Sequence, residues 1–181
     1  SSIIMTDYLK KILTARVYDV AIESPLEPAP NLSKRTKNHI LLKREEMQSV
    51  FSFKLRGAYN KMANLSASQL EKGVICASAG NHAQGVAFAA RDMGIKATIC
   101  IPEGAPISKI EATRSYGANV VLVPGVYDDA YAEAVRLRDE QGLTFIHPFN
   151  DYSIMAGQGT IGLEILEQLP PAEKNPRTDY L

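Results

Sequence analysis

Three short stretches hold residue types whose spacing could do chemistry. In Ser52-Phe53-Lys54-Leu55-Arg56-Gly57-Ala58 the pattern that follows is helical and puts Lys54 at or near a helix start. The positive end of a helix dipole and the neighbouring Arg56 charge both oppose protonation there. The amine is therefore expected below its ordinary pKa, where a lysine is nucleophilic and can form a Schiff base. Composition alone favours the plainer reading, a solvated surface lysine with its stem along the fold. In Ser78-Ala79-Gly80-Asn81-His82-Ala83-Gln84-Gly85 an apolar run gives way to a helix start. Free backbone N–H groups, close approach at Gly80 and short polar side chains suit a carboxylate or phosphate at the carboxyl edge of a sheet. The alternative is a strand-to-helix turn with Asn81 as N-cap and His82 as a helix-end histidine. The GxxxxGK[ST] of a P-loop is missing, so a nucleoside triphosphate is not indicated. Gly157-Gln158-Gly159-Thr160-Ile161-Gly162 satisfies GxGxxG as written. The preceding DYSIMA is a weak strand and no βαβ unit follows, so close helix packing is the expected use of these glycines. His39 and His147 show no metal-ligand spacing, and no metal site is expected. Glu45 and Glu46 read as a solvated or salt-bridged pair rather than an acid/base couple.

These residues need elements to hold them. From Val74 onward short apolar runs alternate with amphipathic segments, the α/β pattern. VICA, ATICI, NVVLV and TFI, starting at Val74, Ala97, Asn119 and Thr144, are predicted as buried parallel strands. Helices are predicted over 82–93, 107–116 and 127–141, each followed by glycine, at Gly94, Gly117 and Gly142. Right-handed crossovers would join them into one sheet. Upstream, 6–17 reads as an amphipathic helix with Thr6 as N-cap, HILLK from His39 as a strand, and 54–65 as a helix with Leu55, Ala58, Tyr59 and Met62 on one face. Ser66 and Gln69 form a capping-box pair for a further short helix. A last helix is expected over 160–169, and PPAEKNPRTDYL from Pro170 reads as a linker or frayed end.

A length of 181 residues predicts one domain or a domain and a half, and 45% hydrophobic with 22% charged residues is the make-up of a packed globular chain. Lys+Arg and Asp+Glu balance at 20 each with no basic block, which argues against nucleic acid and anionic membrane surfaces as partners. No apolar stretch approaches the ~20 residues of a membrane span, and SSIIMTDYLKK lacks the regions of a signal peptide. The cytoplasm is expected, or an organelle matrix, since a chain beginning at Ser1 would not show a transit peptide already removed. Cys76 and Cys100 sit in apolar runs without CxxC spacing and read as reduced core residues.

Taken together and in this order, SFKLRGAY, SAGNHAQG and AGQGT resemble the threonine dehydratase (threonine ammonia-lyase) branch of the fold-type II pyridoxal-phosphate enzymes. VYDVAIESPL and LLKRE upstream resemble the biosynthetic members, so the likeness runs from about Asp7 to Gln168. Cysteine synthases, with a different lysine motif and a Thr-rich loop in place of SAGNHAQG, fit less well. The resemblance implies a three-layer α/β fold of the tryptophan synthase β-like type, a parallel sheet with flanking helices. A complete small domain would span 64–150, with parts of a larger domain over 1–63 and 151–181. It implies pyridoxal 5'-phosphate as cofactor, with Lys54 joined to it as a Schiff base, Phe53 packed on the pyridine ring and Asn81 bonded to the ring hydroxyl oxygen. Ser78, Ala79, Gly80, Asn81 and His82 would line the pocket for the carboxylate of a small amino-acid substrate. The implied reaction is β-elimination of L-threonine, and also L-serine, to 2-oxobutanoate or pyruvate plus ammonia, the first step of isoleucine biosynthesis, with freed Lys54 taking the Cα proton. Serine racemases are similar but carry Ser-Ser-Gly-Asn-His, whose second Ser supplies a proton on the opposite face. Ala79 stands at that place, and a methyl group cannot donate, which favours elimination.

The likeness stops about halfway through a catalytic domain of that family. Its glycine-rich phosphate loop, the Ser or Cys opposite the pyridine nitrogen and the regulatory domain have no counterpart in these residues. Apolar faces of the first helix, HILLK and the last helix are therefore expected to be exposed or covered by another chain, either in a homo-oligomer or by the remaining half of the enzyme. Within the motifs, Glu46 stands where the family more often has Asp, and Ser49 where Pro is common. A catalytically inactive α/β binding module is the alternative from a different class.

Overall fold

In the computed structural model residues 2–170 are described, so the proline-rich tail lies outside them from residue 171 on. The chain opens with α1 (Ser2–Leu13), whose last turn carries Lys10 and Lys11 where the helix dipole favours cations. Thr6 lies within this helix and is not its cap. The helix stops at Leu13 and not near 17, because Val17 is drawn into the core with no exposure. HILLK contributes β2 (Leu41–Lys43), which pairs antiparallel with β1 (Leu26–Pro28). Between them lies α2 (Pro30–Thr36), which begins on a proline, where a missing N–H costs nothing. Neither β1 nor α2 has a periodic signature long enough to predict. A 3₁₀ turn, Glu45–Met47, leads into α3 (Lys54–Ala63) and α4 (Ala67–Lys72), the latter closed by the expected Ser66/Gln69 capping box.

The four apolar runs then form β3 (Val74–Ala77), β4 (Ala97–Pro102), β5 (Asn119–Val123) and β6 (Thr144–Phe145), joined by α5 (Asn81–Met93), α6 (Ile107–Ser115) and α7 (Tyr127–Gln141). All strands are parallel, in the order β5-β4-β3-β6. Period-two alternation divides the side chains of β3 and β4 between two buried layers, whereas β5, expected to be buried, is an edge strand with only Val123 buried. Val74, Cys76, Ile99 and Ile101 pack with Ala83, Val86 and Ile110 on the α3/α5/α6 side. Ile75, Ala77 and Cys100 pack with Ala130, Ala134 and Phe145 on the α7 side. Cys76 and Cys100 therefore face opposite layers, both buried and both free. Because β4 and β6 flank β3 on opposite sides, the connections diverge at the carboxyl ends of β3 and β6. Open α/β sheets take their ligands in that crevice.

The final helix, α8 (Tyr152–Gln168), starts eight residues before the expected 160. Asp151 caps it, accepting N–H bonds from Ser153 at 2.7 Å and Ile154 at 3.2 Å. DYSIMA is thus a cap and first turns, and the weak-strand reading is overturned. The glycine pattern sits mid-helix and serves close packing, as expected. A Cβ at Gly157 would stand 2.6 Å from the Arg56 carbonyl oxygen, and one at Gly159 2.8 Å from Ile12 Cδ1. Ile4, Met5 and Leu13 of α1, with Leu42 and Leu166, are exposed. Among the described residues no helix is long and apolar enough to cross a membrane.

The two halves of this arrangement meet on one buried cation. Arg56 has no exposure, and its guanidinium bonds Glu45 at 2.7 and 3.0 Å, Glu164 Oε1 at 2.9 Å and Thr160 Oγ1 at 2.9 Å. Lys43 Nζ and the Tyr18 hydroxyl complete Glu164, at 2.7 and 2.6 Å, while Ser24 Oγ bonds Glu45 at 2.6 Å. Glu45 and Glu46 separate: the first is buried here, the second is exposed and paired with Arg44. Burial alone would raise the Glu45 and Glu164 carboxyls, but hydrogen bonds from Arg56 and the other donors outweigh it and hold both below the usual range. Replacing Arg56 by Met leaves buried Glu45 without a cation and Glu164 with Lys43 alone, so unfolding stability in urea at pH 7 is expected to fall by about 3 kcal/mol or more. Both folded-state carboxyl pKa values are lowered. The network's contribution is therefore complete above the unfolded carboxyl value of about 4.3 and is lost as pH falls through the lowered values. The gap between wild type and Arg56→Met should narrow in acid, and a pH-independent gap would contradict this account.

Candidate functional site

Lys54 is the first residue of α3, as its motif predicts. Two residues on, Arg56 points about 200° away around the helix, into the ion network. Its charge is balanced there by two carboxylates, so it does not repel the amine. Instead, burial lowers the Lys54 pKa. The expected direction stands and the expected cause is replaced. The ammonium bonds only the Pro148 carbonyl oxygen, at 3.3 Å, and makes no ion pair among the described residues. The rings of Phe53 and Phe149 flank it, with centroids 5.4 and 5.9 Å from Nζ. Ser52 Oγ, two residues earlier, is buried with no hydrogen-bond partner among the described residues.

The second motif lies at the carboxyl end of β3, facing the first. Gly80, and not Asn81, is the N-cap of α5, with φ −124° and ψ −144° and no side chain to cap with. Ser78 takes over part of that task, its Oγ accepting the N–H groups of Gly80 at 3.1 Å and Ala83 at 3.3 Å. Those two bonds use the hydroxyl's lone pairs and leave its proton for an outside acceptor. The N–H groups of Ala79, Asn81 and His82 have no partner among the described residues, as befits a first helical turn. The exposed Asn81 amide is likewise uncommitted. Ser78, Ala79 and Gly80 are half-buried and His82 is buried.

Close contact sets the two motifs against each other. A Cβ on Gly85 would lie 3.1 to 3.2 Å from the Lys54 and Leu55 backbone, so glycine there lets α5 approach the first turn of α3. A third segment, 146–148 beyond β6, joins both. The Ile146 carbonyl bonds the His82 ring at 2.8 Å, and the Pro148 carbonyl bonds Lys54. Sequence reasoning missed this segment because a backbone carbonyl leaves no trace in residue type. His147, stacked on Phe145 at 4.7 Å between ring centroids, lies within electrostatic reach of His82. Phe53 and Lys54 at the start of α3, and Ser78, Ala79, Gly80, Asn81 and His82 after β3, thus lie on neighbouring elements joined through the segment after β6. Among the described residues they bring a half-buried amine without a counter-ion close to a loop of unpaired N–H and O–H donors. Such a pair can bind a carboxylate, form an imine with an aldehyde and carry a proton on Nζ.

The burial effect on Lys54 has a direct check. In the chain reductively methylated with ¹³C-formaldehyde, the Lys54 resonance, assigned through Lys54→Arg, should titrate below the bulk of the lysines near about 10.4. Titration together with the bulk would show the amine to be solvated.

Comparison with known proteins places the chain among enzymes. The profile of the family described as pyridoxal-phosphate dependent enzyme matches residues 17–180. The L-threonine dehydratase biosynthetic IlvA of Burkholderia multivorans is 60% identical over 165 residues, covering 90% of this chain and 32% of that protein. The chloroplastic biosynthetic threonine dehydratase of Arabidopsis thaliana is 55% identical over 162 residues, covering 90% and 27%. The chain thus spans about a third or less of the length of these curated relatives. Among solved structures, the processed form of threonine deaminase isoform 2 from Solanum lycopersicum superposes with a TM-score of 0.90 at 52% identity, over 93% of this chain and 49% of that one. Maize serine racemase superposes with a TM-score of 0.86 at 34% identity, over 92% and 50%.

Proposed function

The chain belongs to the pyridoxal-phosphate dependent enzyme family, and from that premise we propose that it carries the lysine-bearing part of a site for dehydrating and deaminating L-threonine, and also L-serine, to 2-oxobutanoate or pyruvate plus ammonia. The observation that carries the reading is the pairing of Lys54, an amine lowered by burial and free of any counter-ion among the described residues, with the unpaired donors of 78–82 across one crevice. The identity to threonine dehydratases supports the choice of reaction.

The residues present fit pyridoxal phosphate. An accessible, deprotonatable lysine is what imine attachment requires, the Phe53 ring is free to stack, and Ser52 Oγ and the Asn81 amide are polar groups without partners among the described residues. When bound, the cofactor supplies an electron sink for the charge left at Cα. The remaining work falls to this chain's own residues. The N–H groups of Ala79, Asn81 and His82 and the Ser78 hydroxyl bind and orient the substrate carboxylate through the helix-start geometry. Lys54 Nζ takes the Cα proton, and its burial, which lowers its pKa, favours the neutral amine that this step needs. Ala79, half-buried in the loop, offers only a methyl group, so no second acid faces Lys54 from that position, and elimination is favoured over racemisation. In this reading 64–150 is the smaller domain, and a homo-oligomer or the remainder of the enzyme covers the exposed faces of α1, β2 and α8.

Titrating the chain with pyridoxal phosphate tests the proposal. A saturable visible band, with a borohydride-reduced adduct mapped to Lys54 and lost in Lys54→Ala, is the expected result. Adducts spread evenly over surface lysines, unchanged in Lys54→Ala, would overturn it.

A further inference from the structure

His82 is 5% exposed, and among the described residues the ring makes one hydrogen bond, from Nε2 to the Ile146 carbonyl oxygen 2.8 Å away. A carbonyl only accepts, so Nε2 carries the proton. Nδ1 has no partner among the described residues. In the neutral ring Nδ1 is a lone pair, so this side chain has no proton to offer a carboxylate. The groups around it keep it neutral. Burial pushes its pKa down to about 4, the Ile146 carbonyl works partly against that, and the Lys54 and His147 charges press the same way as burial. The ring therefore does not donate to the substrate carboxylate. Its bond spans from the start of α5 to the strand end 146–148, and two residues further on that same strand end receives Lys54 Nζ.

We propose that the His82 ring is a positioning residue: its Nε2–H bond to Ile146 fixes the loop 78–82 against the strand end on which Lys54 rests, and so sets the separation between carboxylate cradle and amine. The inference deepens the function proposed above and rests on it. Two variants test it, His82→Gln, whose amide N–H can reach the same carbonyl, and His82→Leu, which fills the space without a donor. Circular dichroism first confirms that both fold. Pyridoxal phosphate followed by borohydride should label Lys54 less selectively in His82→Leu by about tenfold or more, with selectivity largely restored in His82→Gln, because small displacements of reacting groups carry large rate costs. In parallel, the ¹³C-methyl titration of Lys54 should move up toward the other lysines in His82→Leu, as water enters between loop and strand end, and stay low in His82→Gln. Labelling and titration unchanged in His82→Leu would overturn the positioning role. Absence of selective Lys54 labelling in the wild-type chain would instead count against the proposed function, and the titration, which needs no cofactor, then decides the His82 inference by itself.

Discussion

A guanidinium with no access to water must be surrounded by acceptors, and Arg56 meets that demand with residues from three distant stretches of chain. Glu45 comes from the 3₁₀ turn, Thr160 and Glu164 from α8, and the Ile22 carbonyl from the segment before β1. Lys43 and Tyr18 then satisfy Glu164, and Ser24 and Gln48 satisfy Glu45. Buried charges of this kind are costly one at a time and tolerable only when every partner is present. The first turn of α3 is therefore located by this polar cluster on one side and by the core packing of Leu55 on another. Lys54 inherits that precision because it begins the same turn.

Two lysines show how one residue type acquires opposite roles. Lys43 Nζ is 9% exposed at its side chain and sits among Glu164, Gln168 and the Ser24 carbonyl, at 2.7, 2.9 and 2.6 Å. Every donor of that ammonium is engaged by the fold. Lys54 has burial without a carboxylate, one carbonyl at 3.3 Å and aromatic neighbours. Desolvation without compensation lowers the pKa of that amine. The helix separates these environments by its own periodicity, with the ion cluster on one side and the crevice on the other.

Most of the sheet was legible because β-rich runs, amphipathic helices and stop glycines repeat in register from Val74 to Phe145. The two motifs were legible because a lysine and a strand-to-helix loop carry their chemistry in residue type. Elsewhere tertiary contacts prevailed. Thr6 looked like a cap, yet the helix begins at Ser2; DYSIMA looked apolar and extended, yet Asp151 closes a helix over it. The role of Arg56 was misjudged because its partner Glu164 lies 108 residues away, beyond the reach of any local pattern. The carbonyls of Ile146 and Pro148 carried no signal, since every residue has one.

That long separation also bears on how the chain assembles during synthesis. A ribosome releases Glu45 and Arg56 well before Glu164, and at ordinary elongation rates the 108 intervening residues take about 5–20 s to appear. Throughout that interval the guanidinium has only part of its acceptor shell and cannot be sealed from water. The strands β3 to β6, all encoded within the interval, can pair meanwhile, so the sheet is available as a finished surface when α8 emerges. The ion cluster can therefore close only after α8 has been made, although Arg56 itself is made more than a hundred residues earlier.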